Sequence, residues 1–96
     1  YLQKNFYYNL GCRTICYKPL KKFKLNKIIP TENDKYWRDQ LVHGYVHDPA
    51  AALLGGIAGN AGIFSNATDL GIIFQMLLNG GTYGGIKSLK TKTIRI

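Results

Sequence analysis

Acidic residues are scarce in this chain of 96 residues: five Asp and Glu stand against 13 Lys and Arg, a formal charge of +8. From Tyr1 to Lys27 there is no acid, and from Gln40 to Ile86 there is no Lys or Arg. Two cysteines are too few for a disulfide scaffold. The longest apolar run, Ala50 to Phe64, falls short of the roughly 18 residues that a spanning helix needs. Asn60 and four glycines also interrupt it. No charged n-region followed by an apolar core opens the chain, so no signal peptide is expected. Serine is equally sparse. Only Ser65 and Ser88 are present, and neither begins Ser-x-x-Lys or lies within Gly-x-Ser-x-Gly.

What is present describes a small folded unit. Hydrophobic residues make up 46% and aromatics 12%, which excludes a collagen-like or wholly disordered chain. The length allows one small domain at most. The chain starts at Tyr1 rather than Met and stops at Ile96 inside an unfinished pattern, so the expectation is a piece of something larger. Ten of the eleven glycines fall between Gly44 and Gly85, giving a basic head, a nearly uncharged glycine-dense middle and a short basic tail. Phe6, Tyr7, Tyr8, Tyr17 and Phe23 interleave with the basic head. That pattern fits stacking platforms of a nucleic-acid or anionic-surface patch, and it fits equally the apolar side of a packed, solvated segment.

The clearest element follows Phe64. Leu70, Ile73, Phe74, Leu77 and Leu78 share one helical face, Asn66 with Asp69 resembles a capping box, and Gly80-Gly81 supplies a stop. The spacing predicts a helix over Ala67 to Asn79. Gly71 inside it costs about 1 kcal/mol relative to alanine, which suggests a packing reason for its presence. Ile29-Pro30-Thr31-Glu32 reads as an extended segment ending in a turn that Thr31 caps. Asp34 to Val42 reads as a brief helix, Leu54 to Phe64 as a buried loop or irregular strand, and Tyr83-Gly84-Gly85 as a turn. Ser88 to Ile96 reads as the opening of another element.

Three constellations are candidates for chemistry. His43 and His47, four apart, have the spacing of a helical zinc pair, but Gly44 stands where the metalloprotease motif has Glu, and Gly44 and Pro49 deny the helix. A structured loop with local hydrogen bonds at His47 and Asp48 is the plainer reading. Cys12 and Cys16 lack two further soft ligands and are expected to be free thiols. Glycines 56, 59 and 62 recur every three residues, which differs from both phosphate-binding fingerprints and signals tight backbone packing. No metal or cofactor is expected.

Residues 29 to 85 carry a resemblance. Ile29-Pro-Thr-Glu-Asn-Asp34, Trp37-Arg-Asp-Gln-Leu-Val-His-Gly-Tyr-Val-His-Asp48 and Leu54-Gly-Gly-Ile-Ala-Gly-Asn-Ala-Gly-Ile-Phe-Ser65 resemble the serine beta-lactamase-related family of class C beta-lactamases, penicillin-binding DD-peptidases and serine esterases. Phe6-Tyr-Tyr-Asn-Leu-Gly11 is similar to the family's Phe-Tyr-x-Pro-Leu-Gly segment, and a branch of Bacteroidetes type, often fused to a family-three beta-N-acetylglucosaminidase, is particularly similar. The resemblance implies an α+β fold, an antiparallel sheet flanked by helices, of which residues 1–96 form a partial domain of loops and one amphipathic helix. It implies acyl-enzyme chemistry on an amide, ester or beta-lactam, driven by Ser-x-x-Lys, Tyr-x-Asn and Lys-Thr-Gly or His-x-Gly.

This chain has no Ser-x-x-Lys, and Lys92-Thr93-Ile94 lacks the glycine. Tyr7-Tyr8-Asn9 spells Tyr-x-Asn, although its neighbours align better with the later segment. The chain therefore falls between the second and third motifs and carries no catalytic residue. By resemblance, His47, Asp48, Gly59, Asn60, Ala61 and Gly62 line the substrate cleft; the family usually has His where Asn60 stands. The implied partners are the remainder of a hydrolase domain and a small acyl or cell-wall-type substrate, in a protein exported to the periplasm or envelope. The rival reading is a small basic module that binds nucleic acid or an anionic envelope polymer. Since the amphipathic helix needs a partner surface, the isolated chain is expected to be marginally stable, with a broad thermal transition by circular dichroism.

Overall fold

The computed structural model describes residues 1–96. In chain order it contains a π-helical turn at Gln3–Tyr7, 3-10 turns at Pro19–Lys21 and Leu25–Lys27, strands β1 (Glu32–Asp34) and β2 (Gln40–Val42), helices α1 (Pro49–Leu53) and α2 (Ala67–Leu78), strands β3 (Thr82–Tyr83) and β4 (Ile86–Lys87), and helix α3 (Thr91–Ile94). The architecture is α+β, with two separate two-stranded antiparallel sheets. These elements divide into two compact units. One joins Tyr1–Ile15 to Ser65–Ile96, and the other is Cys16–Phe64. No helix is long and apolar enough to cross a membrane.

In the first unit, Tyr7, Leu10, Cys12, Ile15 and Met76 form a small core covered by Phe6, Ile72, Ile73, Tyr83 and Leu89. Helix α2 starts where the sequence places it. The Asn66 side chain accepts the Asp69 amide at 2.9 Å, which satisfies one of the unpaired donors of the first turn. It stops through a Schellman arrangement, in which Gly81 N–H reaches Met76 O at 2.9 Å and Gly80 N–H reaches Leu77 O at 3.0 Å. Both glycines have positive φ. Gly81 has a second constraint: a Cβ there would sit 2.1 Å from Leu89 O.

The rotation of α2 differs from the expected one. Its inward line runs through Asp69, Ile72, Ile73 and Met76, whereas Leu70, Phe74, Leu77 and Leu78 stay exposed. The helix is apolar on two sides, and a polar contact decides which side turns inward. The Asp69 carboxylate is buried and accepts the Thr14 amide at 2.7 Å and the Thr14 hydroxyl. Bonds of this kind require one rotation only. Burial raises the pKa of Asp69, but the hydroxyl and main-chain donors around residues 13 to 15 outweigh it and hold the carboxyl below its ordinary range. Tyr7 is a core residue here, 6% exposed with its ring edge-on to Phe6.

Three further expectations need correction. Residues 34–42 are not a helix: they turn back as the β1–β2 hairpin, with Glu32 opposite Val42 and Asp34 opposite Gln40. Asp34 takes the amides of Tyr36, Trp37 and Arg38, a local pairing that competes with helix formation. Thr31 caps no turn, because its hydroxyl donates to Tyr45 O at 2.8 Å. The 54–64 segment is a loop whose residues are mostly not buried, anchored at its end by the Cys16–Phe64 bridge with bonds of 3.0 and 2.8 Å.

Gly71 has open space where its Cβ would stand and lies in the interior of α2, so no packing requires it. Gly71→Ala is expected to stabilise α2 by about 1 kcal/mol, and Gly81→Ala to cost about 1–3 kcal/mol. Amide hydrogen exchange along α2 checks both; slower exchange in the first and faster in the second is the expected outcome.

Candidate functional site

The second unit builds the site from the β1–β2 hairpin, the 43–48 turn and the 57–64 loop. Arg38 is its hub. The Arg38 side chain is 9% exposed; its Nε bonds Asp34 Oδ2 at 2.8 Å and its Nη2 bonds Glu32 Oε1 at 3.0 Å. The same guanidinium donates to two main-chain carbonyls, Val46 O at 2.7 Å and His47 O at 2.8 Å. It also lies 5.0 Å over the Trp37 ring. A planar, permanently charged group with donors in a fixed fork can hold such a set, and a lysine cannot. The Arg38 guanidinium, with the Tyr36 amide next in weight, lowers the pKa of Asp34 from 3.8 to about 2.

The turn held by Arg38 leads into α1. Asp48 caps this helix by accepting the Ala51 amide at 2.8 Å, and Pro49 occupies the first position, where its missing N–H costs nothing. The Ala51 amide, followed by the Asn60 side chain at 3.3 Å, keeps Asp48 ionised below the ordinary carboxylate range. After α1 the chain returns as the glycine loop. Tyr17 supports it by donating to Ala58 O at 3.0 Å, and a Cβ at Gly62 would meet Gly56 O at 2.6 Å. Alanine at 62 is therefore excluded by backbone on the facing strand of the loop.

Between these walls lies an open depression of about 560 Å³, lined by Tyr17, Thr31, Val46, His47, Asp48 and the run from Gly59 to Phe64. All six residues singled out by resemblance, His47, Asp48, Gly59, Asn60, Ala61 and Gly62, fall on this one surface. The amides from Ile57 to Ile63 donate to no main-chain carbonyl. The depression thus carries an ionised carboxylate and an imidazole beside the glycine loop.

The two histidines do not act together. His43 Nε2 is bonded to Ile28 O, whereas His47 Nε2 lies 3.3 Å from Glu32 Oε2. No three His, Cys, Asp or Glu side chains converge as a metal site. No serine is activated: Ser65 Oγ donates to Asn66 O at 3.3 Å, and neither serine is bonded to His or Lys. Both cysteines are free and buried. Burial raises the Cys12 pKa with help from the Asp69 charge, and burial raises that of Cys16 against the lowering effect of Lys22, so both are poor nucleophiles.

Sequence reasoning missed Arg38, Glu32 and Asp34. The available signal was the Asp34–Arg38 spacing of four, which the structure uses across a turn rather than along a helix.

Asp34 gives a signed pH prediction. Its folded value, about 2, lies below the ordinary 3.8, so its stabilisation is present above the ordinary value and is lost as pH falls through the folded one. Trp37 is the sole tryptophan and stacks on Arg38. Its emission should change with a midpoint near 2, and Asp34→Asn should remove that step. A midpoint at the ordinary carboxylate value refutes the assignment.

No family model matches the chain, and no solved structure matches it. Curated proteins do. Over 108 aligned residues and its whole length, the chain is 34% identical to an Escherichia coli K12 protein named "putative D-alanyl-D-alanine carboxypeptidase". Over 98% of its length it is 35% identical to proteins of the same name from Salmonella typhi and Salmonella paratyphi B. The alignments cover 25% of the first protein and 24% of the other two. The chain is therefore similar from end to end to proteins carrying a carboxypeptidase name, and it spans about a quarter of their length.

Proposed function

We propose that this chain is the cleft-wall portion of a serine hydrolase of the beta-lactamase and DD-peptidase type. Such an enzyme acts through an acyl-enzyme on the terminal amide of a D-alanyl-D-alanine peptide or a related cell-wall acyl compound. The observation that carries the reading is the single depression that gathers His47, Asp48 and Gly59–Gly62, in a chain 34% identical over its whole length to carboxypeptidase-named proteins.

In this reading the attacking serine, its lysine and the oxyanion donors belong to the remainder of the domain, and residues 1–96 form part of one domain with it. The wall contributes binding: main-chain amides of the 59–63 loop pair with substrate carbonyls, while His47 and Asp48 set the polarity of the rim. The exposed stripe of Leu70, Phe74, Leu77 and Leu78 on α2 supports a partner surface supplied by that remainder. Export to the periplasm or envelope follows from a cell-wall substrate. A glycosidase-fused parent draws no support from the relatives' names. The basic-module reading gains no docking geometry for its lysines.

The test is a graft. This chain replaces the matching quarter of the E. coli relative, and D-alanine release from a D-alanyl-D-alanine peptide is measured with labelling by a fluorescent penicillin. The graft should turn over and be labelled, while the 96-residue chain alone should do neither. Turnover by the isolated chain, or acylation at Ser65 or Ser88, sinks the proposal.

A further inference from the structure

Arg38 joins everything that fixes one wall of the depression, and the motifs read from the sequence gave it no role. We infer that Arg38 is a positioning residue: its guanidinium sets the place of the His47–Asp48 wall and so the fit of the ligand, without touching the ligand. The inference rests on the reading that the depression is part of a substrate cleft.

The argument is geometric. Val46 O and His47 O, the carbonyls that Arg38 grips at 2.7 and 2.8 Å, belong to the two residues directly before Asp48. Asp48 in turn caps α1 and takes the Asn60 amide group at 3.3 Å, so a shift of the turn moves both walls of the depression. Behind the guanidinium, Glu32 and Asp34 are fixed on the hairpin by strand pairing, with Thr31 N–H on Val42 O at 2.8 Å. Glu32 is shared, since its other oxygen faces His47 Nε2 at 3.3 Å. The side chain of Arg38 is itself 9% exposed. Two charged acceptors hold it from one side, and it holds two carbonyls on the other. Lysine keeps the charge but presents its donors from one point, so it cannot span hairpin and turn together.

The experiment uses the grafted enzyme. Arg38→Lys should raise KM for the D-alanyl-D-alanine peptide by roughly tenfold or more and leave kcat within about twofold, the signature of lost binding common to ground and transition state. Arg38→Ala should show the same split, partly reversed by added ethylguanidinium. Unchanged KM in Arg38→Lys overturns the inference, as does an equal fall in kcat and kcat/KM. If the graft with Arg38 intact is inactive, the functional reading fails separately. The inference is then decided by carbonyl carbon-13 shifts of Val46 and His47: movement in Arg38→Lys supports it, and constancy overturns it.

Discussion

Asp34, Asp48 and Asp69 each accept main-chain amides that no helix or sheet ladder pairs, and this interaction is the one on which the rest of the structure depends. The chain buries few large side chains: nine hydrophobic residues, among them two cysteines and one alanine, make up its interior. A core of that size cannot by itself specify turns and short strands. Aspartate can, because an ionised carboxylate has two oxygens and pairs strongly with N–H donors. Asp69 fixes the rotation of α2 through Thr14, Asp48 starts α1, and Asp34 closes the hairpin turn. An acid-poor chain has spent its few carboxylates on architecture.

That use of charge also shapes the candidate site. Asp34 has two functions, since it orders the 35–38 turn and holds the Arg38 guanidinium that reaches across to the 46–47 carbonyls. The wall of the depression is therefore built through a chain of contacts: hairpin, arginine, turn carbonyls, then the carboxylate that caps α1. The links through Arg38 are charge-assisted hydrogen bonds, which hold a short irregular segment that has no ladder of its own.

The functional reading follows from division of labour. Residues 1–96 hold no activated nucleophile: serines lack a base, and buried thiols are kept protonated. What they hold is shape. The chain is similar to about one quarter of the length of the carboxypeptidase-named proteins.

The sequence by itself determined the elements whose signals are local. Helix α2 with its Asn66 cap and glycine stop and the Tyr83-Gly84-Gly85 turn were legible because capping and turn chemistry depend on neighbours a few residues away, whereas the α+β class came only from resemblance. The six depression residues were legible only through resemblance, since no spacing rule links His47 to Gly62. Tertiary structure alone decided the rest. Which side of α2 faces inward depended on Thr14, far away in sequence, and whether residues 34–42 coil or pair depended on how Asp34 spends its oxygens. The role of Arg38 depended on four acceptors scattered from residue 32 to residue 47. In each case a polar group had several partners of similar worth, and only the folded chain brought one set within reach.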